Sequence, residues 1–382
     1  MKQKIGMKCI STAAILAIMC PLDAADIAVA HQGGTGVCVE KFTISRDDST
    51  HECFPSLTRC SDGRIILVYR ESDGHEVKTF CRLVVRISDD DGKTFSDRKV
   101  LVETKQIDGT VLKYNCPKVQ QLNDGRILVI CDSYPIPPSE SGESWQRSNV
   151  VFFFSEDNGN SWSAPQDTGV HGIMPDEVVE LDNGDWLLAT HFRSPETGNA
   201  IQCASRTTDE GESWQPRVTV ASRKGYDFCE ASIIEMPGGQ LVCYMRENSR
   251  KGRPVYKCIS EDGGKTWEGP FETLMGAGHR PVAHLTDSGK VMITYRHYPG
   301  AKAKWAKNTF AFLESVQSAL EEDRSKQSGV VLPLDHDRSP ASDSGYTGWV
   351  EVGPGQFFAV NYIVDDAPKA QIRGYRFGEA DF

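Results

Sequence analysis

The segment SEDGGKTW (260–267) is the most informative stretch of this chain, and three close variants of it occur earlier: SDDDGKTF (88–95), SEDNGNSW (155–162) and TTDEGESW (207–214). All four share the pattern S/T-x-D-x-G-x-S/T-W/F. The Asp in third place can accept hydrogen bonds from backbone N–H groups, and the Gly in fifth place allows a positive φ. Each copy therefore predicts a tight turn that is closed by an aromatic side chain packed beneath the sheet.

A longer repeat accompanies these turns. Six times along the chain, an apolar segment is followed by a Gly-containing turn and a second apolar segment rich in Ile, Val and Leu, which predicts a β-hairpin. The six copies are PSLTRCSDGRIILVYR (55–70), PKVQQLNDGRILVICD (117–132), DEVVELDNGDWLLATH (176–191), ASIIEMPGGQLVCYMR (231–246), PVAHLTDSGKVMITYR (281–296) and TGWVEVGPGQFFAVNY (347–362).

The spacing of the six hairpins predicts an all-β fold, a six-bladed β-propeller. Each unit has roughly 58 residues, enough for four strands, and four-stranded units in radial repetition form propellers. A further strand at 37–45 precedes the first unit. We expect this N-terminal strand to pair into the sixth blade and close the ring, because an open ring would expose sheet edges.

The composition restricts the class of protein. The 382 residues include 53 acidic and 42 basic side chains, a formal net charge of −11, and 39% of the residues are hydrophobic. This is typical of a globular protein and argues against a nucleic-acid partner, because no basic excess is available for a phosphate backbone. Ten cysteines follow residue 30, but no Cys/His spacing typical of a zinc site occurs. We therefore expect no metal and no organic cofactor.

The N-terminus predicts export. Three lysines precede an apolar run at 9–20, and small residues around Ala28-Val29-Ala30 offer a cleavage site. The run is too short for a stable membrane span. We expect residues 1–30 to be a cleavable signal peptide, residues 31–382 to be a single propeller domain, and the mature protein to be secreted or periplasmic.

Aligning the six units on their turn glycines predicts a ring of side chains around the propeller axis. Nine residues before each Gly stand Phe54, Cys116, Pro175, Glu230, Arg280 and Tyr346. Seven residues after it stand Arg70, Asp132, His191, Arg246, Arg296 and Tyr362. Clustered guanidinium groups bind carboxylates in bidentate fashion, so the ring predicts an anionic sugar as ligand. A Tyr346 phenol beside an ionised Glu230 would have a base to activate it as a nucleophile.

At this point the chain resembles the sialidase family, whose six-bladed propellers carry Asp-box turns of the kind described above. CEASIIEMPGGQLVCYMREN (229–248) resembles the family's stretch with a Glu and one Arg of its triad, which implies Glu230 as the base and Arg246 as a carboxylate ligand. GYTGW (345–349) implies Tyr346 as the nucleophile, and RESDGH (70–75) implies Asp73 as the general acid/base.

The resemblance implies an exo-acting glycoside hydrolase that releases a terminal acidic sugar, a sialic or related ulosonic acid, from a glycan with retention. Arg246, Arg296, Arg280 and Arg70 would hold the carboxylate, with His191, Asp132 and Tyr362 in the same ring. One departure stands out. Where the family has R-I-P, this chain has Cys53-Phe54-Pro55, and we expect Arg70 to replace the missing Arg.

Two other functions fit the same residues. A polysaccharide lyase could use His191 or His279 as its base and the arginines to neutralise a uronate. A non-catalytic carbohydrate-binding propeller would bind an acidic glycan without turnover.

Overall fold

The computed structural model of the chain describes residues 39–104, 106–107, 110–136, 148–299 and 307–382. In this part of the chain, no helix is long and apolar enough to cross a bilayer. The predicted signal peptide lies outside the described residues, so export stays a prediction.

Six antiparallel sheets follow one another along the chain and form the blades of a propeller. The first strand, β1 (Glu40–Ser45), belongs to the last blade. Blade one contains β2 (His51–Arg59), β3 (Ile65–Ser72), β4 (Cys81–Ser88) and β5 (Lys99–Glu103). Blade two contains β6 (Gln106–Ile107), β7 (Thr110–Gln121), β8 (Ile127–Ile136), β9 (Asn149–Ser155) and β10 (Gln166–His171). Blade three contains β11 (Val178–Glu180), β12 (Trp186–Arg193), β13 (Ala200–Thr207) and β14 (Val218–Ala221).

The remaining blades repeat the pattern. Blade four contains β15 (Phe228–Glu235), β16 (Leu241–Glu247), β17 (Tyr256–Ser260) and β18 (Glu268–Glu272). Blade five contains β19 (Gly278–Leu285), β20 (Lys290–His297), β21 (Asn308–Ser315), a short helix α1 (Val316–Leu320) and β22 (Gly329–His336). Blade six contains β23 (Ser344–Gly353), β24 (Gln356–Ile363) and β25 (Gln371–Gly378), followed by a single 3₁₀ turn (Glu379–Asp381). The all-β, six-bladed fold is confirmed.

The N-terminal strand closes the ring. β1 pairs antiparallel with β25, with Phe42 opposite Gly374, and so supplies the fourth strand of blade six. The closure predicted from the 37–45 segment is therefore confirmed. Blade two departs from four strands, because the two-residue β6 pairs with the start of β7 and adds a fifth.

Hydrophobic clusters fill the interfaces between neighbouring blades. Leu67 of blade one packs in one cluster with Phe358 of blade six, and Trp349 of blade six packs with Met292 of blade five. The nine cysteines of the described chain belong to this buried interior and are free. Cys243 and Cys258 face each other across β16 and β17 without a disulfide, as small apolar residues would.

The four S-x-D-x-G turns join the last two strands of blades one to four and share one set of hydrogen bonds. In the first, the Gly92 N–H donates to Ser88 Oγ at 2.8 Å. The Thr94 N–H donates to Asp90 Oδ1 at 2.9 Å, and the Thr94 hydroxyl donates to Oδ2 at 2.7 Å. The closing aromatic, Phe95 in this copy, packs against the hydrophobic cluster between blades.

The opposite ends of the inner strands also share a conformation. One residue there has a left-handed backbone in every blade, although none of the six is Gly: Phe54, Cys116, Met174, Glu230, Arg280 and Tyr346, with φ between 42° and 57°. In five blades this residue lies in a register shift of the inner hairpin. Bulges of this kind turn a side chain out of the regular alternation, and strained backbone of this kind clusters at functional sites. Five of the six residues are those predicted from the Gly alignment; in blade three the conformation falls on Met174 instead of Pro175.

Candidate active site

Glu230, Arg246 and Tyr346 form a compact buried cluster at these strand ends. The Tyr346 hydroxyl donates a hydrogen bond of 2.6 Å to Glu230 Oε1. Arg246 Nη1 donates to both carboxylate oxygens of Glu230, at 2.7 Å and 2.9 Å, and lies 3.5 Å from Tyr346 Oη. The three residues come from three strands, β15, β16 and β23, and the bulges at Glu230 and Tyr346 turn these two side chains toward each other.

The electrostatics of this cluster place the proton on Tyr346. Burial alone would raise the pKa of Glu230, but the charge and hydrogen bonds of Arg246 outweigh it and lower that pKa to about 2. Burial and the negative charge of Glu230 raise the pKa of Tyr346 well above its ordinary value. At neutral pH the site therefore holds a neutral phenol that donates to an ionised carboxylate.

A basin of about 430 Å³ opens above this cluster. Tyr346, His75, His279 and Tyr298 line it, together with five basic side chains: Arg246, Arg250, Arg253, Arg296 and Lys307. The one carboxylate in its lining, Glu247, is fully buried and accepts hydrogen bonds from Ser249. The described part of this basin is thus cationic, although the chain as a whole carries a net charge of −11.

Arg296 stands over the ring of Tyr346, with its guanidinium carbon 5.2 Å from the ring centroid. Its Nη1 donates to the Ser344 carbonyl at 3.1 Å, and its Nη2 lies 3.1 Å from His279 Nδ1. Arg246 and Arg296 are the two ring arginines that reach the basin.

The other two arginines of the predicted ring lie elsewhere. Arg280 is 1% exposed and donates to the carbonyls of Met174 and Pro175 in blade three. Arg70 is fully buried and donates to Asn115 Oδ1 at 2.5 Å and to the His75 carbonyl at 2.7 Å. Neither lines the basin, although the guanidinium carbon of Arg280 lies 5.9 Å from the centroid of the Tyr346 ring. The expectation that these two arginines hold a carboxylate stays a prediction.

Three further members of the ring are interior groups. His191 is buried beneath Glu230 and accepts the Glu230 backbone N–H at Nδ1 (3.3 Å), and burial lowers its pKa to about 3. Asp132 is fully buried and accepts a hydrogen bond from Asn115, and burial raises its pKa to about 6. Tyr362 is fully buried and donates to Asp343 Oδ1 at 3.1 Å. The structure places all three behind the basin and not in its lining.

Phe54 follows Cys53, which stands where the family has its Arg. Its ring centroid lies 4.7 Å from that of Tyr346 and 5.3 Å from that of Tyr362, and the Arg70 guanidinium covers it at 4.4 Å. The Phe54 ring is therefore an apolar neighbour of Tyr346. Arg70 does not restore the lost charge to the basin, because its guanidinium lies against Phe54 and does not line the basin.

The Asp73 side chain hydrogen-bonds within its own loop. Its carboxylate accepts hydrogen bonds from the backbone N–H groups of Lys78 and Thr79 and from the Thr79 hydroxyl, at 2.8 to 3.2 Å. Burial raises the pKa of Asp73, but these hydrogen bonds outweigh it, and the net effect is to lower that pKa. Asp73 is not among the residues that line the basin, so its role as acid stays a prediction, and its contacts favour a role in bracing the loop.

Sequence reasoning missed His75, Asp343 and Lys307. His75 lines the basin, and its Nδ1 lies 2.8 Å from Asp343 Oδ2; Lys307 Nζ lies 2.8 Å from Asp343 Oδ1. Two signals were present: His75 ends the RESDGH segment, and Asp343 stands three residues before Tyr346. His51, His75 and Asp343 are also the group of the described chain whose ligand atoms, all within 4.8 Å of one another, could share a metal ion.

Comparison with known proteins agrees with this fold. Residues 137–317, just under half of the chain, match the model of the BNR repeat-like domain. The matches support the sialidase and BNR-repeat propeller superfamily. The anhydrosialidase of Macrobdella decora is 24% identical over 249 residues, which are 59% of this chain but only 30% of the length of that relative.

Two solved structures share the fold over most of the chain. A protein of unknown function from Dyadobacter fermentans superposes with a TM-score of 0.70 at 21% identity, covering 90% of this chain and 100% of that one. The Hadza microbial sialidase Hz136 superposes with a TM-score of 0.66 at 16% identity, covering 88% of this chain and 68% of that one. At these identities the likeness shows the propeller fold and not the reaction.

Proposed function

We propose that this protein is a retaining glycoside hydrolase of sialidase type that releases a terminal acidic sugar from a glycan. The observation that carries the proposal is the 2.6 Å hydrogen bond from the Tyr346 phenol to the ionised Glu230, at the floor of a cationic basin. A phenol with a carboxylate base in contact is an activated nucleophile. A phenol and an ionised carboxylate in contact are also seldom buried in a protein unless the pair has a function.

Tyr346 attacks the anomeric carbon, and its proton passes to Glu230 as the new bond forms. In the free enzyme this transfer is unfavourable, because Arg246 stabilises the Glu230 carboxylate and burial stabilises the neutral phenol. Positive charge that develops on the sugar ring favours the phenolate, so the proton moves only when the substrate reacts.

A neutral nucleophile suits an anionic substrate. A carboxylate in the place of Tyr346 would repel the carboxylate of an acidic sugar, whereas a phenol does not. Arg246 and Arg296 border the same position and offer donors for that carboxylate, and Arg250, Arg253 and Lys307 add positive charge around the mouth. The positive charge of the basin favours an acidic sugar, and it does not define the glycosidic linkage or the aglycone.

The relatives support a sialidase-type function. The Macrobdella decora relative is named an anhydrosialidase, and the Hadza microbial protein is named a sialidase. We propose that the absence of the family's Arg, at the position of Cys53, leaves Arg246 and Arg296 as the two arginines that contact the sugar carboxylate instead of three.

A panel of aryl glycosides of sialic, deoxy-ulosonic, uronic and neutral sugars tests the proposal. We expect release from the sialic or ulosonic members with retention at the anomeric carbon, followed by NMR. An unsaturated product that absorbs in the ultraviolet would identify a lyase, and binding without release would identify a carbohydrate-binding propeller. Either result, or inversion, would refute the proposal.

A further inference from the structure

We propose that His75 is the general acid/base of this site and that Asp343 is its positioning residue. The inference rests on the proposed function, because it assigns the proton donor that the Tyr346 reaction needs. It begins with the His75–Asp343 contact, in which Nδ1 lies 2.8 Å from Oδ2.

His75 is placed to reach a substrate. Its side chain is 44% exposed and lines the basin together with Tyr346, whereas the Asp343 side chain is only 13% exposed. The ring of Phe54 stands between the two, 5.5 Å from the centroid of His75 and 4.7 Å from that of Tyr346. When Nδ1 is engaged by Asp343, Nε2 is the nitrogen left to exchange a proton with a bound sugar.

Asp343 is held as a fixed carboxylate. Its Oδ1 accepts from Lys307 Nζ at 2.8 Å and from the Tyr362 hydroxyl at 3.1 Å, and its backbone N–H donates to Asp337 at 2.8 Å. Burial raises the pKa of Asp343, but the hydrogen bond and charge of His75 and the charge of Lys307 outweigh it and hold the pKa well below its usual range. An ionised carboxylate in this position fixes the ring orientation of His75.

Hydrogen bonds hold the loop that carries His75 in place. The buried Arg70 donates to the His75 carbonyl, and the Asp73 carboxylate binds the backbone at Lys78 and Thr79. Lys369 Nζ donates to the Asp73 carbonyl at 2.8 Å. Arg70 and Asp73 thus help to hold the His75 loop at the basin.

A metal ion is the competing use of the same groups, because His51 Nε2 is buried, lies 3.6 Å from Asp343 Oδ2 and makes no hydrogen bond. The surrounding charge opposes a cation. Lys307 already occupies the Asp343 carboxylate, and Arg70 and Lys369 add positive charge close to His51. The arrangement therefore favours a His–Asp pair.

In the first step, the bond from Tyr346 Oη to the anomeric carbon forms as the bond to the leaving oxygen breaks. The phenol proton goes to Glu230, and protonated His75 gives its Nε2 proton to the leaving oxygen, which departs as an alcohol. In the second step, neutral His75 takes a proton from water as the water oxygen attacks the anomeric carbon. Tyr346 leaves and recovers its proton from Glu230, so the sum is hydrolysis and every group returns to its starting state.

Leaving-group dependence tests this assignment. We expect His75→Ala to lower kcat/KM by about 10²- to 10⁴-fold on a glycoside of an alkyl alcohol, which needs a proton, and far less on the 4-nitrophenyl glycoside of the same sugar. Azide, which needs no general base, should restore turnover of the nitrophenyl substrate and yield a glycosyl azide. Asp343→Asn should show the same dependence on the leaving group at smaller amplitude.

Asp73→Asn is the matched control two residues away. Because the Asp73 carboxylate binds the loop backbone, we expect this variant to lower kcat/KM by the same factor on both substrates. Leaving-group dependence and azide rescue in Asp73→Asn but not in His75→Ala would overturn the inference in favour of Asp73. Loss of wild-type activity on EDTA treatment, restored by Zn²⁺, would overturn it in favour of a metal. If His75→Ala does not fold, His75→Gln and its thermal melt provide the same comparison. A wild type that turns over no glycoside in the panel refutes the proposed function, whereas an active wild type with no leaving-group dependence in His75→Ala refutes this inference alone.

Discussion

The four S-x-D-x-G turns and the six inner-strand ends lie at different places in each blade, and they differ in what is repeated from blade to blade. The turns repeat both backbone and side chains: Ser155, Asp157 and Ser161 in blade two make the hydrogen bonds that Ser88, Asp90 and Thr94 make in blade one.

The inner-strand ends repeat only the backbone. The same left-handed residue is Phe in one blade, Glu in another and Tyr in a third. A repeat that keeps its conformation while its side chains diverge marks the surface where function has been added to the fold. The comparison predicts that substitutions at the strand ends change activity without unfolding the protein, and that substitutions at the turns do the reverse.

The largest effect is expected at the strand ends in Tyr346→Phe and Glu230→Gln. Each removes one partner of the 2.6 Å hydrogen bond that activates the nucleophile, so we expect kcat to fall by about 10³-fold or more. The melting temperature should change little in Tyr346→Phe, whereas Glu230→Gln also breaks the buried ion pair with Arg246 and should lower it. Initial rates on the aryl glycoside and a thermal melt of each variant measure both quantities. Activity close to that of the wild type in either variant would refute the assigned roles.

Arg246→Met should affect both activity and stability, because Arg246 neutralises a buried carboxylate. Breaking a buried ion pair on one side costs about 3–5 kcal/mol of unfolding free energy. Without Arg246, burial should raise the pKa of Glu230 above its unfolded value. A raised carboxyl pKa contributes stability at low pH that is lost as the pH rises through the folded pKa, so the variant should be relatively more stable near pH 4 than near pH 8.

Urea unfolding at the two pH values measures this shift. Glu230→Gln in the Arg246→Met background removes the buried charge and should restore the pH dependence of the wild type. An Arg246→Met variant whose stability changes between the two pH values as the wild type's does would show that Glu230 is not stabilised by Arg246.

How far the sequence alone predicts this molecule depends on whether a feature is periodic. The hairpins, the ring closure by β1 and the convergence of Glu230, Arg246 and Tyr346 all follow from the spacing of the turn glycines, because a constant phase places equivalent residues at equivalent points of each blade. The orientations of the Arg70 and Arg280 side chains cannot be predicted from this spacing. Arg70 donates to the His75 carbonyl in a loop, and Arg280 donates to the Met174 carbonyl in a different blade. His75 was missed for the same reason: the loop at 73–80 joins the second and third strands of blade one, and its sequence does not recur in the equivalent loops of the other blades.

At the turns, Gly92→Ala should lower stability without changing activity. Gly92 has φ of 78°, and an added Cβ would lie 2.5 Å from the ring of Phe358. Gly125→Ala is the control, since φ is 93° but nothing lies within 4 Å of the added Cβ. In each variant the left-handed conformation alone should lower the free energy of unfolding by about 1–2 kcal/mol. In Gly92→Ala, crowding against Phe358 should lower it by about 1–3 kcal/mol more.

Denaturant titration of both variants, with kcat/KM on the aryl glycoside, separates the two contributions. Equal destabilisation of the two variants would show that the turn is not packed tightly against blade six. A loss of kcat/KM in folded Gly92→Ala would contradict the division between structural and functional repeats.

The smallest effect concerns the acid stability of the turns. Hydrogen bonds from the Ser161 hydroxyl and backbone lower the pKa of Asp157 to about 2, and the equivalent Asp209 is lowered to the same value by Ser213 and Thr207. A lowered carboxyl pKa contributes stability above the unfolded pKa of about 3.9 that is lost as the pH falls toward 2. The wild type should therefore lose stability between about pH 4 and pH 2, and Asp157→Asn should lose less over that range in the same urea titration. An unchanged slope in Asp157→Asn would contradict the assignment of that carboxylate.

Trapping of the glycosyl-enzyme tests the central claim most directly. A 2,3-difluoro derivative of sialic acid forms a covalent bond with a retaining enzyme's nucleophile and slows its hydrolysis, and peptide mass spectrometry locates the modified residue. The account predicts one added sugar per chain on the peptide that contains Tyr346, and none in Tyr346→Phe. An adduct on any other residue, or an enzyme that cleaves sialosides yet forms no adduct, would contradict it.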